Sequence, residues 1–236
     1  MDWEAFFTVH RGLPREGPGT AEDVAWACGL AGLPEGAVIC DAGCGPGGDI
    51  AALLDAVPGA RVVSVDKSAG FVAEAAARFA GEARVSVVEG DLGALPGAYD
   101  MIWCAGALYF LGLRDGLAAM ARALKPGGVL AFSEPCFFTD APGAEARAFW
   151  EGYPAQSAEG IAAAVTAAGF DVVGTRKVPD AGWEAYYRPM EARIAALRPD
   201  ADARLAAMLD LCAAEAVAWR QVRDETGYLL CVARLS

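Results

Sequence analysis

The sequence is poor in basic residues. Its 236 residues include 19 Lys and Arg against 31 Asp and Glu, which gives a formal net charge of -12, and the basic residues form no run. Because phosphate groups need cations opposite them, this balance argues against a nucleic acid or an anionic membrane surface as a partner.

Two kinds of targeting segment are also lacking. No stretch is both uniformly apolar and long enough to cross a bilayer. The first residues, MDWEAFFTVHRG, have neither the basic start nor the small-residue cleavage site of a secretory signal. We therefore expect a soluble, cytoplasmic protein.

Metal-binding patterns are missing as well. The 7 cysteines are odd in number and mostly lie in apolar runs, and histidine occurs once, as His10. Cys40 and Cys44 have no second Cys or His pair that would complete a zinc site. We expect small buried cysteines in a reducing compartment and no bound metal.

What the sequence does contain is an alternation of strand-like and helix-like segments. A hydrophobic content of 55% supports an extensive core, and the alternation predicts an α/β fold with a mostly parallel sheet. Ser68 is a good N-cap for a helix that reaches about Phe79, and residues 182–220 read as two long helices interrupted at 198–202. The predicted strands are 37–40, 61–66, 84–91, 99–106, 129–135, 170–178 and 226–235.

A glycine-rich turn, VICDAGCGPGGDI, occupies residues 38–50 directly after the first predicted strand. It matches G-x-G-x-x-G, a spacing that also binds dinucleotides. A triphosphate loop is excluded because no Lys-Ser or Lys-Thr ends the turn. Asp66, at the end of the second strand, suits a ribose diol, and this does not separate a dinucleotide from S-adenosylmethionine.

Features beyond the third strand favour S-adenosylmethionine. Asp91, in EGDLGALPGAYD, follows a strand tip where a carboxylate can accept from an adenine amino group. The turn LKPGG at 124–128 then leads into a strand that carries Ser133 and Glu134. With DAGCGPGG, VDKS and YDMIWCAGALYFL, these motifs resemble the class I S-adenosylmethionine-dependent methyltransferases over roughly residues 34–178 and the final strand. The segment LPREGPGT is similar to one in a smaller group of small-molecule methyltransferases.

This resemblance implies a Rossmann-like, seven-stranded sheet in the order 3-2-1-4-5-7-6 with the last strand antiparallel, and a single domain over residues 1–236. It implies a lid formed by helical residues 1–33 and a helical insertion, 180–222, on the substrate side. Asp41 would orient the methionine ammonium, the turn would pass beside methionine and ribose, and Asp66 would bind the ribose hydroxyls. The implied cofactor-binding residues are Asp41, Gly43, Cys44, Gly45, Gly47, Asp66, Lys67, Asp91, Leu92, Cys104, Ala105 and Gly106.

The expected activity is methyl transfer from S-adenosylmethionine to a small molecule (EC 2.1.1.-), with S-adenosylhomocysteine as the product. Such a reaction depends mainly on aligning the nucleophile, methyl group and sulfur. Tyr109 and His10 are the candidate bases, and Glu134 and Glu184 are weaker ones. Aromatic residues in the added segments are candidates for the acceptor site. The predicted substrate pocket consists of Trp183, Tyr186, Tyr187 and Glu134.

Two other functions remain open at this point. A non-catalytic S-adenosylmethionine-binding module would carry the same motifs, because methyl transfer needs no diagnostic side chain. A nicotinamide-dependent oxidoreductase would explain the glycine turn but not EGDLGALP together with LKPGG. The sequence also leaves a homodimer open.

Overall fold

The computed structural model describes residues 2–236. Its strands are β1 Val38–Ala42, β2 Arg61–Asp66, β3 Val85–Glu89, β4 Tyr99–Cys104, β5 Leu124–Phe137, the two-residue β6 Gln156–Ser157, β7 Phe170–Lys177 and β8 Thr226–Leu235. Its α-helices are α1 Trp3–His10, α2 Ala21–Ala31, α3 Ile50–Ala56, α4 Ala69–Arg78, α5 Leu113–Ala123, α6 Ala144–Ala148, α7 Ala158–Ala167, α8 Asp180–Leu197 and α9 Ala203–Val222.

The strands form one sheet in the order β3-β2-β1-β4-β5-β8-β7, and β6 pairs with β5 beside this path. Once the short β6 is left out of the count, this is the predicted order 3-2-1-4-5-7-6. Strands β1 to β5 run parallel to one another, whereas β8 is antiparallel to both of its neighbours, β5 and β7. The predicted α/β fold class is confirmed.

Both faces of the sheet are covered, as expected for parallel strands with apolar residues on either side. Side chains alternate along β1, so that Ile39 contributes to one half of the core and Cys40 to the other. Helices α1, α2, α3, α8 and α9 contribute to the Ile39 half, and α5 and α7 contribute to the Cys40 half. The added segments therefore lie on one face, and their roles as lid and substrate cover stay predictions.

Several boundaries differ from those expected. Strand β1 extends to Ala42, and β4 ends at Cys104, so that Ala105 and Gly106 lie in a turn. Strand β5 begins at Leu124 because this residue already pairs with Tyr99 across an irregularity in the register. All seven cysteines are buried and unpaired, as predicted. Across residues 2–236, the structure contains no helix with the length and apolarity to cross a membrane.

The start of α2 is fixed by a capping box that Thr20 and Asp23 form. The Asp23 N–H donates to Thr20 Oγ1 at 3.3 Å, and the Thr20 N–H donates to Asp23 Oδ2 at 2.8 Å.

Thr20→Ala removes one of these bonds, and we expect it to lower the free energy of unfolding by about 1 kcal/mol. Urea denaturation of this variant beside Thr8→Ala, a helix-interior control, tests the prediction; equal effects of the two variants would contradict it.

Candidate functional site

The carboxyl ends of the parallel strands meet at one edge of the sheet and bring the predicted acidic residues together. Asp41 lies opposite Ser64 of β2 and Trp103 of β4. Asp66 lies opposite Glu89, the last residue of β3. Because parallel strands end on the same side, ligands of open α/β sheets bind at such an edge.

The glycine turn needs its glycines for conformation and for space. Gly43, Gly45 and Gly47 have φ values of 74, 52 and 83°, a region that residues with a Cβ rarely adopt. The N–H of Gly43 donates to Val65 O at 2.8 Å and holds the turn against β2. A Cβ on Gly43 would lie 2.4 Å from Ala107 Cβ, so the turn is in close contact with the segment after β4.

Asp66 ties this turn to the start of α4. Its Oδ2 accepts from the Gly45 N–H at 2.9 Å, and its Oδ1 accepts from the Ser68 N–H at 2.8 Å. Each carboxylate oxygen can accept a further hydrogen bond. Asp66 thus shapes the turn and keeps acceptor capacity for ligand hydroxyls.

Asp41 is a buried carboxyl group with an unused acceptor. Its side chain is 3% exposed, and Oδ2 has no hydrogen-bond partner within the described residues. Burial raises the pKa of Asp41 well above its usual range; Asp49 and Asp66 add to the rise, and Arg15 opposes it. A cation beside Oδ2 would relieve this unfavourable environment.

The loop between α1 and α2 lies directly over the glycine turn. Pro14 O accepts from Arg78 at 3.2 Å, and a Cβ on Gly48 would lie 2.9 Å from Arg15 Cβ. Arg15 forms an ion pair with Asp49 at 3.3 Å. The other contacts of Asp49 include a hydrogen bond from the indole of Trp103 at 3.0 Å. This network anchors a basic group at the turn.

Glu16 was missed by the sequence analysis. A Cβ on Gly45 would lie 3.3 Å from Glu16 Cγ, so this side chain borders the turn. Its Oε2 is bonded to His10 Nδ1 at 2.6 Å, whereas Oε1 has no partner in the described part of the chain. Burial raises the pKa of Glu16, and His10 opposes the rise. Local sequence gives little sign of this position, which depends on the fold of the loop.

His10 is buried and engaged in contacts that hold the loop. It is 3% exposed and stacks on Phe6 with ring centroids 3.9 Å apart. Its Nε2 lies 3.9 Å from Cys212 Sγ of α9. Together with the Glu16 bond, these contacts connect α1, the loop and α9, and the predicted role of His10 as a base stays a prediction.

The residues expected near an adenine lie at the outer end of the site. Lys67 Nζ and Asp91 Oδ2 are 3.6 Å apart, and both side chains are largely exposed. Asp91 accepts from the Gly93 N–H at 2.7 Å and caps the short 3-10 helix Leu92–Ala94. Leu92 borders the turn, because its Cδ1 would lie 3.8 Å from a Cβ on Gly43.

The segment after β4 lies between the turn and the end of β5. Cys104 is fully buried, whereas Ala105 and Gly106 are half-buried. Gly106 has a φ of 72°, and its N–H donates to Ser133 Oγ at 2.7 Å. The predicted methyl-donor end of the site is thus held by a hydrogen bond between neighbouring strands.

The predicted pocket aromatics belong to a larger cluster. Trp183 stacks on Tyr228 with ring centroids 5.2 Å apart and lies 6.3 Å from Trp150. The ring centroid of Tyr109 lies 6.4 Å from that of Tyr228. Tyr187 lies 6.0 Å from Trp183. Trp150 and Tyr228 were not predicted as site residues, because their proximity depends on how α6 and β8 meet.

Glu134 is linked to that cluster through Tyr153, whose ring lies 5.9 Å from that of Tyr109. It follows Leu130 and Phe132 on the same face of the sheet, whereas Trp183 belongs to the core on the other face. Tyr153 donates its hydroxyl to Glu134 Oε1, and Oε2 has no partner within residues 2–236. Burial raises the pKa of Glu134 to about 7, and the Tyr153 hydrogen bond opposes the rise. Glu134 thus lies on the Cys40 half of the core, and its place in the predicted substrate pocket stays a prediction.

The strand order and the strand-edge site together define the type of fold. The strand order, the antiparallel β8 and the acidic, glycine-rich strand ends are those of the class I S-adenosylmethionine-dependent methyltransferase fold. The resemblance seen in the sequence is thereby confirmed.

Comparison with known proteins agrees with this fold. Residues 39–128 match the family described as a methyltransferase domain. A crystal structure of a SAM-dependent methyltransferase from Geobacter sulfurreducens, in complex with S-adenosyl-L-homocysteine, has a TM-score of 0.85 at 21% identity. That similarity covers 99% of this chain and 98% of the Geobacter chain.

Two curated relatives match part of the chain. The malonyl-[acyl-carrier protein] O-methyltransferase of Enterobacter lignolyticus is 38% identical over 99 residues, which are 40% of this chain and 38% of that protein. The trans-aconitate 2-methyltransferase of Deinococcus radiodurans is 36% identical over 100 residues, 42% of this chain and 38% of that protein. The chain spans less than half the length of the curated relatives it matches, from 24% to 45%.

Proposed function

We propose that this protein binds S-adenosylmethionine at the glycine turn and transfers its methyl group to a small-molecule acceptor. The observation that carries the proposal is the charge of the turn. Two carboxyl oxygens without partners in the described residues, Asp41 Oδ2 and Glu16 Oε1, flank it, and Asp66 lies beside it. S-adenosylmethionine brings an ammonium and a sulfonium to such acceptors, whereas the pyrophosphate of a dinucleotide would bring like charge.

The individual residues suit the parts of this ligand. Asp41 would accept a hydrogen bond from the methionine ammonium. Arg15 supplies a cation near the turn for the carboxylate of the methionine part of the ligand. Asp66 would accept from the ribose hydroxyls through its remaining lone pairs. Leu92 and Lys67 would border the adenine.

The chain would act mainly by orientation. When bound, S-adenosylmethionine supplies a methyl group on a positively charged sulfur that leaves as a neutral thioether. Ala105 and Gly106 would line the methyl-donor end, and the aromatic cluster with Tyr109 would enclose the acceptor and exclude water. Fixed alignment of reacting groups can supply on the order of 7–11 kcal/mol. The Geobacter similarity and the methyltransferase-domain match support this proposal.

Ligand-dependent melting tests the cofactor assignment. A ligand that binds only the folded state raises the melting temperature, so we expect S-adenosylhomocysteine to raise it and NAD(H) to leave it unchanged. Stabilisation by NAD(H) alone would refute the proposal. Release of S-adenosylhomocysteine with any acceptor of a small-molecule panel would distinguish an enzyme from a non-catalytic binding module.

Asp66→Ala tests the assignment of the ribose site. We expect affinity for S-adenosylhomocysteine to fall by about 10- to 100-fold, because charge-assisted hydrogen bonds are each worth roughly 1.5–3 kcal/mol. Isothermal titration calorimetry measures this change, with the exposed Asp55→Ala of α3 as a control that should bind normally. Unchanged affinity in the Asp66 variant would rule out the assignment.

A further inference from the structure

Glu215 lies on the buried face of α9 and is nevertheless exposed. Met208 and Val222, seven residues before and after it, are buried, as are Cys212 and Trp219 at spacings of three and four. These spacings place side chains on one face of a helix. Glu215 itself is exposed, yet desolvation by the surrounding chain raises the pKa of its carboxyl group, so it borders a partly enclosed space on this face.

Aromatic side chains lie beside Glu215 and border this space. The Tyr187 hydroxyl donates to Glu215 Oε1 at 3.0 Å, and the rings of Tyr186 and Tyr187 are 5.1 Å apart. Burial raises the pKa of Tyr109, Tyr186 and Tyr228, and the charge of Glu215 adds to each rise. Glu215 therefore lies within electrostatic reach of the cluster that would enclose the acceptor. We call this space the tyrosine cavity.

The carboxylate of Glu215 is poorly compensated in the tyrosine cavity. Burial raises its pKa; Tyr187 and His10 oppose the rise, and Glu151 adds to it. His10, the basic group acting here, is already bonded to Glu16 at 2.6 Å. A carboxylate held among aromatic rings with a neutral hydroxyl as partner favours the arrival of a cation.

Resting on the proposed function, we propose that the acceptor is a small molecule carrying an ammonium group, and that Glu215 binds this group in the tyrosine cavity. The faces of tyrosine and tryptophan rings attract cations, and the carboxylate gives the cation a hydrogen-bonding partner. An acceptor with several carboxylates would instead meet like charge at Glu215. The tyrosine cavity thus selects by charge among acceptors of similar size.

Binding to the complex with S-adenosylhomocysteine tests this inference by calorimetry. The probes are choline, its neutral analogue of the same shape 3,3-dimethylbutan-1-ol, and trans-aconitate. We expect the full chain to bind choline at least about tenfold more tightly than the neutral alcohol, with no measurable heat from trans-aconitate. Equal affinity for choline and the alcohol, or preference for trans-aconitate, would overturn the inference.

Variants assign the selectivity to Glu215. Glu215→Gln should remove the preference for choline over the alcohol while leaving the affinity for S-adenosylhomocysteine unchanged. Asp210→Asn, on the solvent side of the same helix, should keep that preference. If Glu215→Gln retains the preference, Glu215 is not the binding group. Tyr187→Phe, which keeps the ring and removes the hydroxyl bound to Glu215, should alter choline affinity and not that of the alcohol; equal effects on the two probes would count against the site.

These outcomes also separate the two proposals. A protein that binds S-adenosylhomocysteine but shows no selectivity for choline retains the proposed function and loses the inference about its acceptor. A protein that binds no S-adenosylhomocysteine loses the proposed function itself.

Discussion

Replacing Gly43 by alanine is expected to lower the free energy of unfolding by roughly 2–5 kcal/mol, from about 1–2 for a left-handed backbone and about 1–3 for overpacking. Gly43 has a φ of 74°, and its new Cβ would lie 2.4 Å from Ala107 Cβ. Neither atom ends a flexible side chain, so the turn and the segment after β4 must move apart. Because this movement displaces the proposed cofactor site, affinity for S-adenosylhomocysteine should also fall by at least about tenfold.

Two further variants separate conformation from collision. Gly36 has a φ of 73° with nothing within 4 Å of its Cβ position, so Gly36→Ala measures the backbone cost alone. Ala107→Gly removes the atom that Gly43→Ala would strike. In a double-mutant cycle, the variant that combines Gly43→Ala with Ala107→Gly should be more stable than Gly43→Ala alone. Urea denaturation gives these free energies; equal losses in Gly36→Ala and Gly43→Ala would disprove the close contact.

Replacing Glu134 by glutamine should change how stability depends on pH. The pKa of Glu134 rises from the usual 4.5 to about 7 in the folded protein, through burial. The folded state therefore holds this proton more tightly than the unfolded state does. The resulting stabilisation is full below pH 4.5 and is lost as the pH rises through about 7. At about 1.4 kcal/mol for each pKa unit, the loss amounts to about 3 kcal/mol.

Glutamine does not titrate. The difference in unfolding free energy between the Glu134→Gln variant and the unmodified protein therefore isolates the contribution of the Glu134 carboxyl group. We expect Glu134→Gln to gain about 3 kcal/mol relative to the unmodified chain as the pH rises from 4 to 8. Urea denaturation across this range measures the difference. Tyr153→Phe removes the hydrogen bond that opposes the pKa rise, and the loss of stability should then move to higher pH. A difference that stays constant with pH would show that Glu134 is not held in a strongly desolvated site.

The two predictions concern different parts of the strand-edge region. Gly43 and Asp41 belong to the edge where the cofactor is proposed to bind, and a cation there would relieve the unpaired acceptor of Asp41. Glu134 lies on β5, where Tyr153 is its hydrogen-bond donor and Oε2 has no partner within residues 2–236. Ligand binding at the turn should therefore leave the titration of Glu134 largely unchanged, since the groups that shift its pKa are burial and Tyr153.

The sequence by itself determined the fold class and the acidic ends of β1 and β2, and its family resemblance implied the strand order. Alternating apolar segments give the strands, and short-range rules give the Thr20 cap and the glycine turn. The motifs in register then indicated the methyltransferase fold. These features depend on residues close together in the chain or on one recurring arrangement of strands.

Only the tertiary structure decided which distant side chains meet. His10 lies against Cys212, 202 positions away in the chain. That Glu215 stays exposed among buried neighbours of α9 can be seen only in the folded structure. Glu134 meets Tyr153 because strand alternation, not closeness in sequence, sets the face of its side chain. A side chain's burial and charge partners are set by elements that come together only on folding, and local spacing carries no record of them.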